Sequence, residues 1–174
     1  VLPTFGTRWL APRLPDFLSA NPGVTVNLTT RFTRFDFATE RFDAMIYYGS
    51  DDWPGAAHLK LFDERLTACA SPALLTAHPV AGPADLHGMV LLQLATRSDA
   101  WAAWFRGQGA APPARIDGMV MDQFSMMVQA AISGLGVALL PDYLARPEIA
   151  EGRLVPILRP GVAGPGAYWL AWPE

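Results

Sequence analysis

The stretch DQFSMMVQAAISGLGVALLP, residues Asp122–Pro141, decides how the chain is read. Asp122 is suited to cap a helix, because its carboxylate can accept from the free backbone N–H groups two and three residues on. Phe124, Met127, Val128, Ala131 and Ile132 then fall at the i, i+3, i+4, i+7, i+8 spacing that gives a helix one apolar face. Gly134 can take the left-handed conformation that ends such a helix. Val137–Leu140 reads as a buried strand halted by Pro141. A helix that feeds a strand through a two-glycine turn is half of an α/β unit. Gly134-Leu135-Gly136 does not suit a dinucleotide, since a phosphate-binding glycine turn follows a strand and opens a helix, the reverse of the order here. The glycines are read as a helix stop, and no cofactor is expected.

The same alternation extends both ways. Upstream, Val1-Leu2 resembles a strand end. A helix from Thr4 follows, with Phe5, Trp9, Leu10, Leu14, Phe17 and Leu18 on one face, and Pro12 and Pro15 predict a kink in it. Val24, Val26 and Leu28 alternate as a strand reaching Thr30, and Ala44–Tyr48 is a second strand. Arg31–Phe42 is polar and aromatic, with a short helix read around Asp36–Arg41. Leu59–Ala70 is long for one strand and runs into Ser71-Pro72, a cap followed by a first helical residue. Gly82–Gly88 is a loop with one turn at Asp85-Leu86. Met89–Leu94 and Ile116–Met121 are strands, and Ser98 is read as the cap of a helix with Trp101, Trp104 and Phe105 on one face. Asp142–Ala150 is helical despite Pro147, Leu154–Leu158 is a strand, Arg159–Gly166 a Gly/Pro-rich loop and Ala167–Trp172 a last strand. This order predicts an α/β protein with parallel sheets. The length of Leu59–Ala70 favours two lobes, because a strand that leaves one sheet for another must be long.

Composition narrows the function classes. The chain has 174 residues with 17% charged and a net charge of −3, a globular composition without the clustered lysine and arginine of a nucleic-acid surface. Cys69 is the only cysteine, which removes disulfide frameworks and cysteine metal sites. No apolar run is long enough for a membrane span and no signal segment opens the chain, so no membrane partner is expected. Its abrupt ends read as those of a piece cut from a longer protein. His58, His78 and His87 show no metal-ligand spacing, the serines lack a nucleophile-elbow setting, and Asp51-Asp52 reads as a solvated pair. No nucleophile–base pair supports an enzyme.

Binding is better supported. In open α/β sheets ligands sit beyond the carboxyl ends of strands, here Thr4-Phe5-Gly6, Thr30-Arg31, Tyr48-Gly49, Thr96–Asp99 and Asp122–Phe124. Thr4 offers a neutral cap with N–H groups behind it, and Arg31 a charge-assisted bond to a carboxylate. Phe5, Tyr48 and Phe124 offer apolar contact and Gln123 a polar one. Asp122, as a carboxylate cap, would repel an anion, which puts a negative group on the Thr4 side.

Thr4-Phe5-Gly6-Thr7-Arg8-Trp9-Leu10-Ala11-Pro12-Arg13-Leu14-Pro15, Asn21-Pro22-Gly23-Val24, Asp43-Ala44-Met45-Ile46, Cys69-Ala70-Ser71-Pro72, Ala130–Pro141 and Gly152-Arg153-Leu154-Val155 together resemble the effector-binding domain of LysR-type transcriptional regulators. Trp53-Pro54-Gly55 and Trp101-x-x-Trp104 resemble the subgroup of glycine-cleavage operon activators. The resemblance covers nearly the whole chain. It implies two Rossmann-like lobes of the type 2 periplasmic-binding-protein fold joined by two crossing strands, with residues 1–67 and 168–174 in lobe I and 68–167 in lobe II. It also implies a small-molecule effector held in the cleft between the lobes by Thr4, Phe5, Thr30, Tyr48, Asp122, Gln123 and Phe124, to which the strand-end reading above adds Arg31 and a carboxylate on the ligand. Self-association as a dimer or tetramer and a cytoplasmic location follow from the same resemblance. DNA would be met only through a winged helix-turn-helix preceding residue 1. For a dimer, the apolar faces of the first helix and of Ser98–Arg106 are the candidate contacts. Tyr47-Tyr48 stands where many members carry an arginine before the glycine, so the effector class does not carry over. A transporter's solute-binding protein shares the fold and is the alternative; an enzyme on a doubly wound scaffold is the third reading.

Overall fold

Val137–Pro141 forms strand β5, buried along its whole length, and its neighbours explain the burial. The structure, a computed structural model, describes residues 1–174 apart from the side chains of residues 159 and 160. β5 lies antiparallel to β2 (Ala56–Ala70), with Cys69 opposite Ala138, and parallel to β3 (Leu91–Leu94), with Leu91 opposite Val137. β3 pairs in parallel with the short β4 (Val120–Met121). Alternate residues of a strand point to opposite faces. Ala138 and Leu140 therefore pack with Leu92, Leu94 and Cys69 beneath α5 (Phe124–Ile132) and α6 (Asp142–Ala150). Val137 and Leu139 pack on the other face with Ala68, Ala70 and Leu91 against Trp101, Trp104 and Phe105 of α4 (Ala100–Gly107).

The chain divides into two compact units, Arg65–Gly164, just described, and Val1–Glu64 with Pro165–Glu174. Two strands, β2 and β6 (Val155–Pro173), run through the boundaries of both. The second unit's helical segment is continuous from Pro3 to Ala20 but changes pitch. It begins as α1 (Pro3–Phe5), widens to a π-turn at Gly6–Leu10, tightens to a 3-10 turn at Ala11–Arg13, and ends as α2 (Leu14–Ala20). Pro12 and Pro15 cannot donate to the carbonyls an α-helix would require. The Arg13 guanidinium donates to the Trp9 carbonyl at 2.7 Å. The segment thus changes helical pitch around its prolines, over two turns. In the same unit β1 (Met45–Gly49) pairs antiparallel with β6, Met45 opposite Ala171.

Several expectations are met closely. Leu74 N–H donates to Ser71 Oγ at 3.2 Å, and α3 (Pro72–Ala77) starts on the proline. Gly134 has φ +78°, its N–H reaches the Ala131 carbonyl, and Leu135 N–H reaches that of Ala130, the paired bonds of a glycine helix stop.

Others need correction. The sheets are mixed rather than parallel, because the long β2 runs against β5 and β6 runs against β1. Asp122 is not the N-cap of α5; Gln123 is, and its side chain makes no cap hydrogen bond. Asp99, not Ser98, precedes α4, also without a side-chain cap. Leu2 is the N-cap of α1, which places Thr4 inside the helix. Residues 24–30 form no strand. Val1 pairs with their end: its N–H₃⁺ donates to the Thr29 carbonyl (3.0 Å) and its carbonyl accepts from Arg31 N–H (3.1 Å), a single parallel rung about Thr30. Asp36–Arg41 is a turn closed by Ala38 N–H on Asp36 Oδ1 at 2.9 Å, not a helix. The expected loop at 159–166, whose first two side chains lie outside the described residues, falls within β6. A Cβ on Gly161 would come within 2.8 Å of the Leu66 carbonyl and of Thr67 Oγ1, so that glycine serves close strand packing and not a turn. The strand expected at Ile116–Met121 is regular only over Val120–Met121, although Leu91 N–H still bonds the Asp117 carbonyl and Gln93 N–H that of Met119, each at 2.9 Å.

That extension imposes a steric limit at Gly118, where a Cβ would stand 1.9 Å from the Leu91 carbonyl oxygen. Gly118→Ala should therefore lower unfolding stability by about 1–3 kcal/mol, the usual cost of overpacking, read as a shifted urea midpoint. Gly82→Ala, where a Cβ meets nothing within 4 Å, should leave the midpoint nearly unchanged.

Candidate functional site

The parallel register of β3 and β4 sets one group of candidate residues. Leu94 lies opposite Met121, so the segments that leave these two strand ends, Ala95–Arg97 and Asp122–Phe124, start side by side. Ala95–Arg97 is a 3-10 turn leading towards α4. Asp122-Gln123 leads into α5, whose first N–H groups carry the positive end of the helix dipole. Asp122 is exposed, while Gln123 and Phe124 are half-buried. The Arg97 guanidinium carbon sits 5.0 Å from the Phe124 ring centre, a cation–π distance. Arg97 and Phe124 border a crevice of ≈ 10 Å³ with Leu92, Leu94, Trp101 and Met127. That volume is at the lower limit for one water molecule, so the crevice is a floor and not a chamber. Trp101 is fixed there by donating its indole N–H to the Leu92 carbonyl at 2.8 Å.

The candidates in the other unit lie around an aromatic stack. Phe5 is 1% exposed and packs on Trp9 (4.8 Å), Tyr168 (5.0 Å) and Phe62 (6.0 Å). Tyr48 faces Tyr168 directly across β1 and β6, the rings 5.2 Å apart and tilted edge to face. Tyr168 donates its hydroxyl to Glu64 Oε1 at 3.0 Å, and both residues are almost wholly buried. A buried carboxylate needs such donors to offset its lost hydration. Thr4 is 7% exposed, and Thr30 is exposed.

Arg31 is engaged within its own unit. It makes a forked ion pair with Glu40 and lies 5.2 Å over Phe42 and 5.7 Å over Phe35. Nothing local announced this, since the partner lies nine residues on. Asp52 is likewise held, by Arg34 Nη2 at 2.6 Å and Ser50 Oγ at 2.9 Å, and the bond from Arg34 keeps its carboxyl below the usual carboxylate range.

Sequence reasoning singled out Phe5, Tyr48 and Phe124 but not the residues that frame them. Tyr168, Phe62 and Glu64 lie in strands, where alternating residues read only as core. Arg97 lies in the Thr96–Asp99 stretch noted for its strand-end position, and no motif distinguished it from a solvated charge. Trp101, Trp104 and Phe105, read as candidates for self-association, are at most 2% exposed and belong to their own unit's core. Among the described residues no group of three or more His, Cys, Asp or Glu side chains could hold a metal ion, and no helix is long and apolar enough to cross a membrane.

Comparison with known proteins gives consistent matches. A family model described as the LysR substrate binding domain matches residues 1–174. The glycine cleavage system transcriptional activator of Escherichia coli (strain K12) is 37% identical over 171 residues, 98% of this chain and 56% of that protein. The HTH-type transcriptional activator AmpR of Rhodobacter capsulatus is 35% identical over 171 residues, 98% of this chain and 57% of its own length. The chain thus spans about half the length of the curated relatives it matches. Among solved structures, the effector domain of the transcriptional regulator AmpR of Pseudomonas aeruginosa superposes with a TM-score of 0.86 at 34% identity, over 99% of this chain and 82% of that one. These relatives are named as transcription regulators, not as transporter components or enzymes.

The Glu64–Tyr168 bond yields a direct test of what holds the aromatic stack. Tyr168→Phe removes the hydroxyl donor from a buried carboxylate and should cost about 1–3 kcal/mol in urea unfolding. Glu64→Gln keeps an acceptor for that hydroxyl and should cost less.

Proposed function

The chain belongs to the family of LysR substrate-binding domains, and from that premise we propose that it is the effector-sensing and self-associating domain of a bacterial LysR-type transcription regulator. The observation that carries the reading is the family match over residues 1–174. The strand-end loops, with aromatic and polar side chains together, supply a chemistry that suits it. On this reading the effector is a small molecule, and Tyr48, the exposed Thr30, Gln123 and Phe124 are its candidate contacts. Thr4 and Phe5 back those contacts from within their unit, and Arg31, paired with Glu40, holds the segment that follows Thr30. Asp122 is exposed enough to accept a donor group of the ligand.

The response follows from linkage. A ligand shifts a conformational equilibrium only by the difference in its affinity for the two arrangements, and about 1.4 kcal/mol of difference moves the ratio tenfold. In a dimer of the whole regulator this shift would reach DNA through a helix-turn-helix on the same polypeptide. With Trp101, Trp104 and Phe105 committed to their own core, the first helical segment is the better candidate for self-association. Its Trp9, Leu10, Leu14 and Leu18 are half-buried and Phe17 is 49% exposed.

The test is a melting-temperature screen of the chain against small carboxylic acids, each paired with its neutral amide. At a hundredfold excess over Kd a ligand should add about 2.7 kcal/mol, which shifts the melting temperature of a domain this size by roughly 5–10 °C. Tyr48→Ala and Phe124→Ala should each reduce that shift. A screen in which no compound of either kind raises the melting temperature, or in which both variants respond like the parent, contradicts the reading.

A further inference from the structure

Tyr48 and Gly49 end β1, which stands at the edge of the strand order and, among the described residues, has β6 as its one strand neighbour. Backbone groups on the open side of an edge strand gain nothing from a ladder, so side chains must hold the strand end in place. At Gly49 the chain turns away with φ +148°, a conformation that L side chains rarely adopt. The described residues that follow, Ser50–Gly55, form no helix or strand. The Arg34 guanidinium gathers this loop. Its Nη2 donates to Asp52 Oδ1 at 2.6 Å and to the Ser50 carbonyl at 3.3 Å, and its Nη1 reaches the Asp52 carbonyl at 3.5 Å. We propose that Arg34 is a positioning residue for effector binding, which holds the loop leaving β1 and so presents Tyr48 to the ligand. The assignment rests on the reading that Tyr48 is an effector contact, and names what keeps that contact in place.

The guanidinium lies over the rings of Tyr47 (5.2 Å) and Trp53 (5.6 Å). Rings engage its face, while its N–H donors lie in the plane and go to oxygens of one loop. Both rings are buried and fixed by their own bonds. Tyr47 donates its hydroxyl to the same Ser50 carbonyl at 2.9 Å, and Trp53 its indole N–H to the Phe35 carbonyl at 3.0 Å. Trp169 of β6 donates to the Gly49 carbonyl at 3.0 Å. Gly49, Ser50 and Asp52 thus each give an oxygen to a side-chain donor, and Arg34 is the donor that joins two of them. Magnitudes then separate two roles. The Arg34 and Asp52 side chains are 37% and 66% exposed, and an ion pair that open adds little to global stability. Local order is a different quantity, because a ligand that must first order a loose loop binds more weakly. Arg34 therefore acts on affinity rather than on the unfolding equilibrium.

The experiment compares the parent chain with Arg34→Gln, Arg34→Lys and Tyr48→Ala. Arg146→Gln is the control, an exposed arginine paired with Asp142 on α6. The probe is the acid or amide of the melting-temperature screen that raises the parent's melting temperature most. Its Kd is measured by titration calorimetry, and the order of the Ser50–Asp52 backbone amides by heteronuclear NOE. Arg34→Gln should lower that NOE and weaken the probe about threefold to tenfold, the range expected when binding must order one or two further side chains. Its urea midpoint should stay close to the parent's. Arg34→Lys, which keeps the charge but not the fork, should fall between, and Arg146→Gln should bind like the parent. An unchanged NOE in Arg34→Gln, or a lowered NOE with the parent's affinity, overturns the assignment. An affinity loss that Arg146→Gln shares, or that follows the urea midpoint across the variants, overturns it too and leaves Arg34 a structural tether. If Tyr48→Ala weakens the probe and Arg34→Gln does not, the effector reading stands and the Arg34 assignment falls. If Tyr48→Ala binds the probe like the parent, the Tyr48 contact falls and takes the Arg34 assignment with it, while the sensing role stands. If no compound raises the melting temperature, both fall.

Discussion

The parallel pairing of β3 with both β5 and β4 is the constraint on which the rest of its unit depends. Because Leu91 and Leu92 face Val137 and Ala138 in register, each strand sends alternate residues into two different cores. One core is roofed by α5 and α6, the other by α4 with its two tryptophans and Phe105. A slip of one residue would exchange the two faces, bringing the α4 tryptophans against side chains shaped for α5. The same register carries the functional consequence, since Leu94 opposite Met121 releases two loops side by side. Packing and the placement of the two loops are thus set by one ladder of backbone hydrogen bonds.

The other unit is organised by a different interaction. Its aromatic stack of Phe5, Trp9, Phe62 and Tyr168 is joined through the Tyr168 hydroxyl to a buried carboxylate, Glu64. A buried charge of this kind is costly unless its donors are in place, and this ties the position of Tyr168, and of Tyr48 paired with it, to the orientation of one hydroxyl. Glu64 on β2 and Tyr168 on β6 lie on the two strands that run through both units. The bond therefore fastens those strands together through side chains as well as through the backbone.

Much of the fold was legible because its signals are local. The apolar spacing of Phe124–Ile132, the glycine stop at Gly134, the Ser71-Pro72 start and the prolines of the first helical segment each act within a few residues. The errors arose where a distant partner overrides a local preference. Asp122 and Ser98 are good capping residues, but the N-cap positions fall one residue later, at Gln123 and Asp99, and Ser98 instead ends the 3-10 turn Ala95–Arg97. Gly161 and Gly166 look like turn residues, yet both lie within β6, where a Cβ would approach the Leu66 carbonyl or the Tyr48 ring within 3 Å. Residues 24–30 alternate like a strand, but their pairing with Val1 is one rung and not a ladder. For the candidate site, strand-end position marked stretches to consider. It could not show that Arg31 pairs with Glu40 or that Arg97 lies over Phe124, because both contacts join residues far apart in sequence.

The central claim is that the ends of β3 and β4 recognise an effector. A crystal structure of the chain with the acid that most raises its melting temperature tests this most directly. The account predicts a polar group of the ligand against Gln123 and its apolar part against Phe124. A ligand bound elsewhere, with Gln123 and Phe124 untouched, would contradict it.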